Sequence, residues 1–167
     1  MTVSVLTDFD IEQFVATEYP RVVAAVRLIT GDREGAADAV QDAIVGLLAS
    51  PPSRPLTNHA AYITVVASNR SRDAQRRRGA EGRALSKIGA PPESAVDAVE
   101  SLDVDVQAAL AALPRQQRQI CVMHYLLDES VESIATSLGV STGTVKTQLH
   151  RARAALAARI QKEDHRG

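Results

Sequence analysis

Three observations predict an all-α chain built as two small helical domains joined by a flexible linker. Aliphatic side chains recur at three- and four-residue spacing along most of the sequence, and no stretch shows the strict alternation of a strand. Aromatics are confined to Phe9, Phe14, Tyr19, Tyr62 and Tyr125, so cores must be assembled from Val, Ile, Leu and Ala, as suits helical bundles. Between two periodic regions, residues 79–101 hold Gly79, Gly82, Gly89, Pro91 and Pro92 with little apolar periodicity. That composition makes a linker and divides the chain into domains at 1–78 and 102–167.

The first domain opens with helix from Asp8 to Thr30, broken near Pro20, with Ile11, Phe14 and Val15 in one stripe and Val22, Val26 and Ile29 in the next. Gly31 is a stop signal, and Asp32 can cap a helix running from about Arg33 to Ala49. The inner face of that helix is Ala36, Val40, Ile44, Leu47 and Leu48; its outer face carries Asp38, Gln41, Asp42 and Val45. Periodicity alone reads the outer face as an ordinary solvated acidic surface. The stretch SPPSRPLT, Ser50 to Thr57, is too rich in proline for regular structure and leads to Asn58, a good N-cap. The helix after it, His59 to Arg78, packs through Tyr62, Ile63, Val66 and Ala67 and then displays Asn69, Arg70, Arg72, Asp73, Gln75, Arg76, Arg77 and Arg78. Arginines at this density suit phosphate oxygens, whose bound counterions are released on contact.

The second domain starts near Leu102. Val106, Leu110 and Leu113 mark a helix ending at Pro114, and Ile120, Met123 and Leu127 line the next, Arg115 to Leu127. The final stretch, Ser130 to Arg159, joins two helical periods through a short turn. Ser130 can cap Val131–Leu138, Gly139 sits where that helix must stop, and Ser141 can cap the last helix. The last helix buries Val145, Leu149, Ala152 and Leu156 and turns Thr144, Lys146, Thr147, His150 and Arg151 outward, with no carboxylate before Glu163. A short helix, a glycine turn and a second helix with a basic outer face form a helix-turn-helix, which points to DNA binding.

Net charge is −1, against indiscriminate nucleic-acid binding, yet the charges are segregated. Basic clusters at Arg70–Arg78 and Lys146–Arg159 are separated by the acidic run Glu93–Asp105. No apolar run approaches a membrane span and the N-terminus lacks the basic start and apolar core of a signal peptide, so a soluble cytoplasmic protein without membrane insertion is expected. Cys121 stands alone in an apolar run, which suits a buried structural thiol. There is no Gly-rich phosphate loop, HExxH or CxxC, and the four histidines lack ligand spacing. These absences predict neither catalysis nor a cofactor or metal.

The residues carry a family resemblance across nearly the whole chain. EYPRVVAAVRLITGD and AADAVQDAIVGLL resemble the start of region two, and YITVVASNRSRDAQRRR the promoter-melting helix, of bacterial RNA polymerase sigma factors of the extracytoplasmic-function (ECF) group. LAALPRQQRQICVMHYLLDESVESIATSLGVSTGTVKTQLHRARAAL resembles their region four. The pairing of LPxxQR with GVSxGTVKxxLHRARxxL at this spacing is specific; a lone helix-turn-helix would not be. The resemblance implies a promoter-specificity subunit that binds core RNA polymerase and promoter DNA. It assigns −35 contacts to Ser141, Thr142, Thr144, Lys146, Thr147, His150 and Arg151, and −10 contacts and melting to Tyr62, Asn69, Arg70, Asp73, Arg76, Arg77 and Arg78. It gives the face of Asp38, Gln41, Asp42 and Val45 to the clamp helices of the polymerase's largest subunit, reversing the solvated reading, and it adds the flap to the polymerase contacts. It further implies a linker threaded toward the active-site channel and a possible anti-sigma factor. Tyr62 replaces the group's usual tryptophan, and Val65 a basic or polar residue. The competing reading is a stand-alone helix-turn-helix regulator.

Overall fold

The computed structural model describes residues 8–53, 56, 58–80 and 104–165; the linker and its acidic run lie outside the described residues up to position 103. Among the described residues the chain forms eight helices and no strand: α1 (Asp8–Thr17), α2 (Tyr19–Thr30), α3 (Ala36–Ala49), α4 (His59–Ala80), α5 (Val104–Ala111), α6 (Arg115–Tyr125), α7 (Val131–Leu138) and α8 (Thr142–Asp164).

Pro20 falls in the first turn of α2, where its missing N–H costs nothing, so the break comes just before it. Gly31, at φ 73°, ends α2 by donating its N–H to the Arg27 carbonyl at 2.8 Å. Helix α3 begins three residues later than the periodicity suggests. Asp32 takes the Gly35 N–H on Oδ1 at 2.9 Å, which holds residues 33–35 in a turn and delays the first helical residue to Ala36. Asn58 caps α4 as expected, its Oδ1 accepting the Ala61 N–H at 3.0 Å. The helix continues past Arg78 to Ala80.

Two clusters form the interior. The first joins α1 to α4 through Phe14, Val22, Val26, Val40, Leu47, Ile63 and Ala67. The second gathers Leu110, Leu113, Ile120, Met123, Ile134, Val145, Leu149 and Ala152 from α5 to α8, and it also takes in Ala25 and Ile29 of α2 and Ala61 of α4. The two halves therefore share one of their cores. Polar contacts close the same seam. Arg21 donates to the Leu126 carbonyl and, at 3.0 Å, to Asp128; Asn58 donates to the buried Glu129; and Arg118 donates to the Ile29 carbonyl at 3.3 Å.

Ile134 of α7 is fully buried in the second cluster. Ile134→Ala removes its methyl groups and leaves a void, so a loss of about 2–5 kcal/mol in urea-unfolding stability is expected. Cys121 is 2 % exposed, and burial pushes its thiol pKa up despite the nearby Arg153. A protonated, enclosed thiol is inert. Iodoacetamide should label it only after unfolding.

Candidate nucleic-acid interface

The helix-turn-helix is built from local signals. Ser130 Oγ accepts the Ser133 N–H at 3.0 Å and starts α7. Gly139 ends it at φ 68°, a left-handed conformation open to glycine without the Cβ clash. Val140 then returns its N–H to the Ala135 carbonyl at 3.1 Å. Ser141 Oγ accepts the Thr144 N–H at 3.1 Å and shares a 2.9 Å bond with the Thr144 hydroxyl. The cap fixes where α8 begins and which side faces out.

Val145, Leu149 and Ala152 are buried against α6 and α7, which leaves Ser141, Thr142, Lys146, Thr147, His150 and Arg151 exposed on the opposite side, with Thr144 half-buried at the cap. At 23 residues α8 is about 34 Å long, enough to cross a major groove. Two contacts brace it. Gln148 donates to Gln116 at 3.0 Å, and Arg153 donates to the Tyr125 hydroxyl with its guanidinium carbon 5.6 Å from the ring centroid. Arg153 belongs to the same basic run as Arg151, but is turned onto α6.

The second basic surface is the far half of α4. Asn69, Arg70, Asp73, Arg76, Arg77 and Arg78 are all exposed, and Tyr62 is half-buried near the helix start. Their surroundings differ. Arg76 lies 3.9 Å from Asp73, an exposed pair worth little. Arg70 crosses α3 over Gly46, where a Cβ would come 2.8 Å from its Nη2. Arg78 donates to Asp32 Oδ2 at 2.7 Å, and Asp32 is only 8 % exposed.

Local sequence suits Asp32 to a cap, but its partners Ser71 and Arg78 lie 39 and 46 positions away. Burial raises its carboxyl pKa, but hydrogen bonds from the Gly35 amide, Arg78 and Ser71 outweigh this, and the group is held below its ordinary value of 3.8. A depressed folded-state pKa stabilises above the unfolded value and loses that contribution as pH falls through the folded one. The stability gap between the native chain and Asp32→Asn should therefore be widest near neutrality and shrink below about pH 4 in urea titrations at stepped pH.

The third surface is the outer side of α3. Asp38, Gln41, Asp42 and Val45 share one exposed face at helical spacing, and Leu48 extends it. Gln41 donates to the Tyr19 hydroxyl at 3.2 Å. Val45 is 63 % exposed, an apolar centre flanked by carboxylates and unlike an ordinary solvated face. Among the described residues no helix is long and apolar enough to cross a membrane.

An exposed basic face on α8, an arginine-rich half of α4 and an acidic–apolar face on α3 thus lie on one all-helical chain, and known proteins of the sigma-70 class share its sequence and fold. Residues 14–81 match sigma-70 region 2 and residues 103–156 match sigma-70 region 4. The chain is 34 % identical over 149 residues to the ECF RNA polymerase sigma factor SigL of Mycobacterium tuberculosis, covering 83 % of this chain and 81 % of that protein. It is 28 % identical over 161 residues to the RNA polymerase sigma-E factor of Streptomyces coelicolor, covering 93 % and 88 %. A solved structure of the sigma factor RpoE in complex with the anti-sigma factor NepR, from Bartonella quintana, superposes with a TM-score of 0.69 at 25 % identity, covering 91 % of this chain and 97 % of that one. The chain belongs to the ECF sigma factors, transcription initiation factors that direct RNA polymerase to promoters.

Proposed function

We propose that α8 reads the −35 element and the far half of α4 holds and opens the −10 element, while the outer face of α3 docks on the polymerase clamp. One observation carries most of this reading: the side of α8 opposite its buried stripe is hydroxyl and cationic from Ser141 to Arg151 and almost wholly exposed. Side chains there can reach base edges in a major groove while Lys146 and Arg151 neutralise phosphates. Asn69 and the loop Ser50 to Thr57 are candidates to hold an unstacked base, whose extraction costs a few kcal/mol that such contacts must offset. Val45 and Leu48 supply an apolar contact for the clamp, and the carboxylates around them complement basic residues. With a net charge of −1, the chain binds promoters well only as part of the polymerase.

This reading places the protein in the cytoplasm, where its polymerase and DNA are. It also admits control by an anti-sigma factor, since the structurally similar RpoE is described in complex with NepR. The deciding experiment is run-off transcription from genomic fragments with purified core polymerase, with and without this chain. New start sites preceded by two spaced motifs support the assignment and deliver the promoter sequence. Tight, specific promoter binding without polymerase, together with no new starts, would favour the stand-alone regulator instead.

A further inference from the structure

The promoter-melting role proposed for α4 requires its outward side chains to sit at a fixed rotation relative to the rest of the domain, and little of the apolar core reaches that far. The last core residue contributed by α4 is Ala67; beyond it come Ser68 and then a polar half-helix. What holds this half-helix to the α2–α3 turn is chiefly one carboxylate, with Gln75 adding a long 3.5 Å bond to the Thr30 carbonyl. Asp32 Oδ2 accepts the Ser71 hydroxyl at 3.2 Å and the Arg78 guanidinium at 2.7 Å, while Oδ1 accepts the Gly35 N–H at 2.9 Å. The Asp32 N–H is tied in turn to the Thr30 hydroxyl at 3.1 Å. Ser71 is 1 % exposed.

Helix geometry converts these bonds into orientation. Ser71 and Arg78 are seven residues apart, about two turns, and so lie on one face of α4. At about 100° per residue, Asn69, Asp73 and Arg76 then point within roughly 40° of the opposite direction. The approach is too tight for a side chain on the neighbouring turn: a Cβ at Gly35 would stand 2.3 Å from Asp32 Oδ2 and 3.3 Å from Arg78 Nη2.

We infer that Asp32 is a positioning residue for promoter opening, and that Arg78 is the strut it holds rather than a phosphate contact. The Asp32 carboxylate fastens the α2–α3 turn to the far end of α4 and sets the outward rotation of Asn69, Asp73 and Arg76. Arg78, the last of three consecutive arginines, thereby has a different task from Arg76 and Arg77. This rests on the proposed role of α4, and its test separates the two.

Asp32→Asn, Arg78→Gln and the double variant are assembled with core polymerase on a promoter found by run-off transcription, with Arg76→Ala as the comparison. Open-complex formation is followed by fluorescence of a base analogue in the −10 region across a series of salt concentrations. Asp32→Asn and Arg78→Gln should each slow opening about tenfold. The double variant should be no worse than either, and none of the three should change the salt slope of promoter binding. Arg76→Ala should lower that slope by about one ion. A slope reduced by about one in Arg78→Gln, additive losses in the double variant, or opening at the native rate would each overturn the inference. Failure of the native chain to open any promoter would instead strike the proposed function. A measurement on the chain alone covers that case: amide exchange across residues 74–80 should quicken in Asp32→Asn and Arg78→Gln but not in Arg76→Ala. Unchanged exchange in both would overturn the inference without reference to transcription.

Discussion

Replacing Lys146 and Arg151 together with alanine should weaken promoter binding by the polymerase holoenzyme by roughly a hundredfold near physiological salt. It should also reduce the salt dependence of binding by about two ions. Both residues are exposed on α8, five positions apart, while the buried stripe Val145, Leu149 and Ala152 is untouched. The fold should therefore survive, with a melting temperature close to that of the native chain. Each lost phosphate contact forgoes the release of about one counterion, so the slope reports the role directly. A large loss of affinity with an unchanged slope would move these residues from phosphate to base-edge contacts. No loss at all would remove α8 from the interface. Thr144→Ala is a useful contrast: its hydroxyl and its amide both bond Ser141, so part of any effect comes through the helix cap.

Much of this architecture was legible because local signals agree with the global fold. The caps at Asn58, Ser130 and Ser141 and the left-handed glycines at Gly31 and Gly139 all do what their residue types favour. The inward stripe of α8 needs only a period of 3.6 to be seen. Most exposed faces followed by subtraction, and Val45 stands out on α3 as expected, but Leu48, expected on the inner face, lies 42 % exposed beside it. What could not be seen are bonds across long sequence separations. Nothing local distinguishes Arg78 from Arg77, or Arg153 from Arg151, yet Arg78 is paired with a carboxylate 46 positions away and Arg153 with a tyrosine 28 positions away. The late start of α3 has the same origin: residue type suits Asp32 to a helix cap, whereas its carboxylate closes a turn and also serves α4. The seam between the halves was equally hidden. A glycine–proline linker argues for two separate domains, but Ala25, Ile29 and Ala61 look like ordinary positions of the first core until the tertiary structure places them in the second.

That seam leads to the second large effect, at Asn58. Its side chain does two things at once: Oδ1 caps α4 through the Ala61 N–H, while Nδ2 donates across the seam to Glu129, a carboxylate only 5 % exposed that also accepts from Ser133 at 2.8 Å. Asn58→Ala loses the cap, about 1 kcal/mol, and leaves Glu129 short of one donor, about 1–3 kcal/mol more. The expected loss in urea unfolding is therefore about 2–4 kcal/mol. Asn58→Asp separates the two contributions. It keeps an oxygen for the cap but sets a second carboxylate against Glu129, so it should also destabilise, and adding Glu129→Gln should recover most of the loss because the amide can donate to the new carboxylate. If the two halves unfold as one body, helicity and a probe placed on α8 should follow a single transition in the native chain. Two transitions, with Asn58→Ala shifting only the N-terminal one, would mean that the cap matters and the seam contributes little. A single transition that shifts as a whole, rescued across the seam by the Glu129 partner change, would show that the C-terminal half draws part of its stability from α2 and α4.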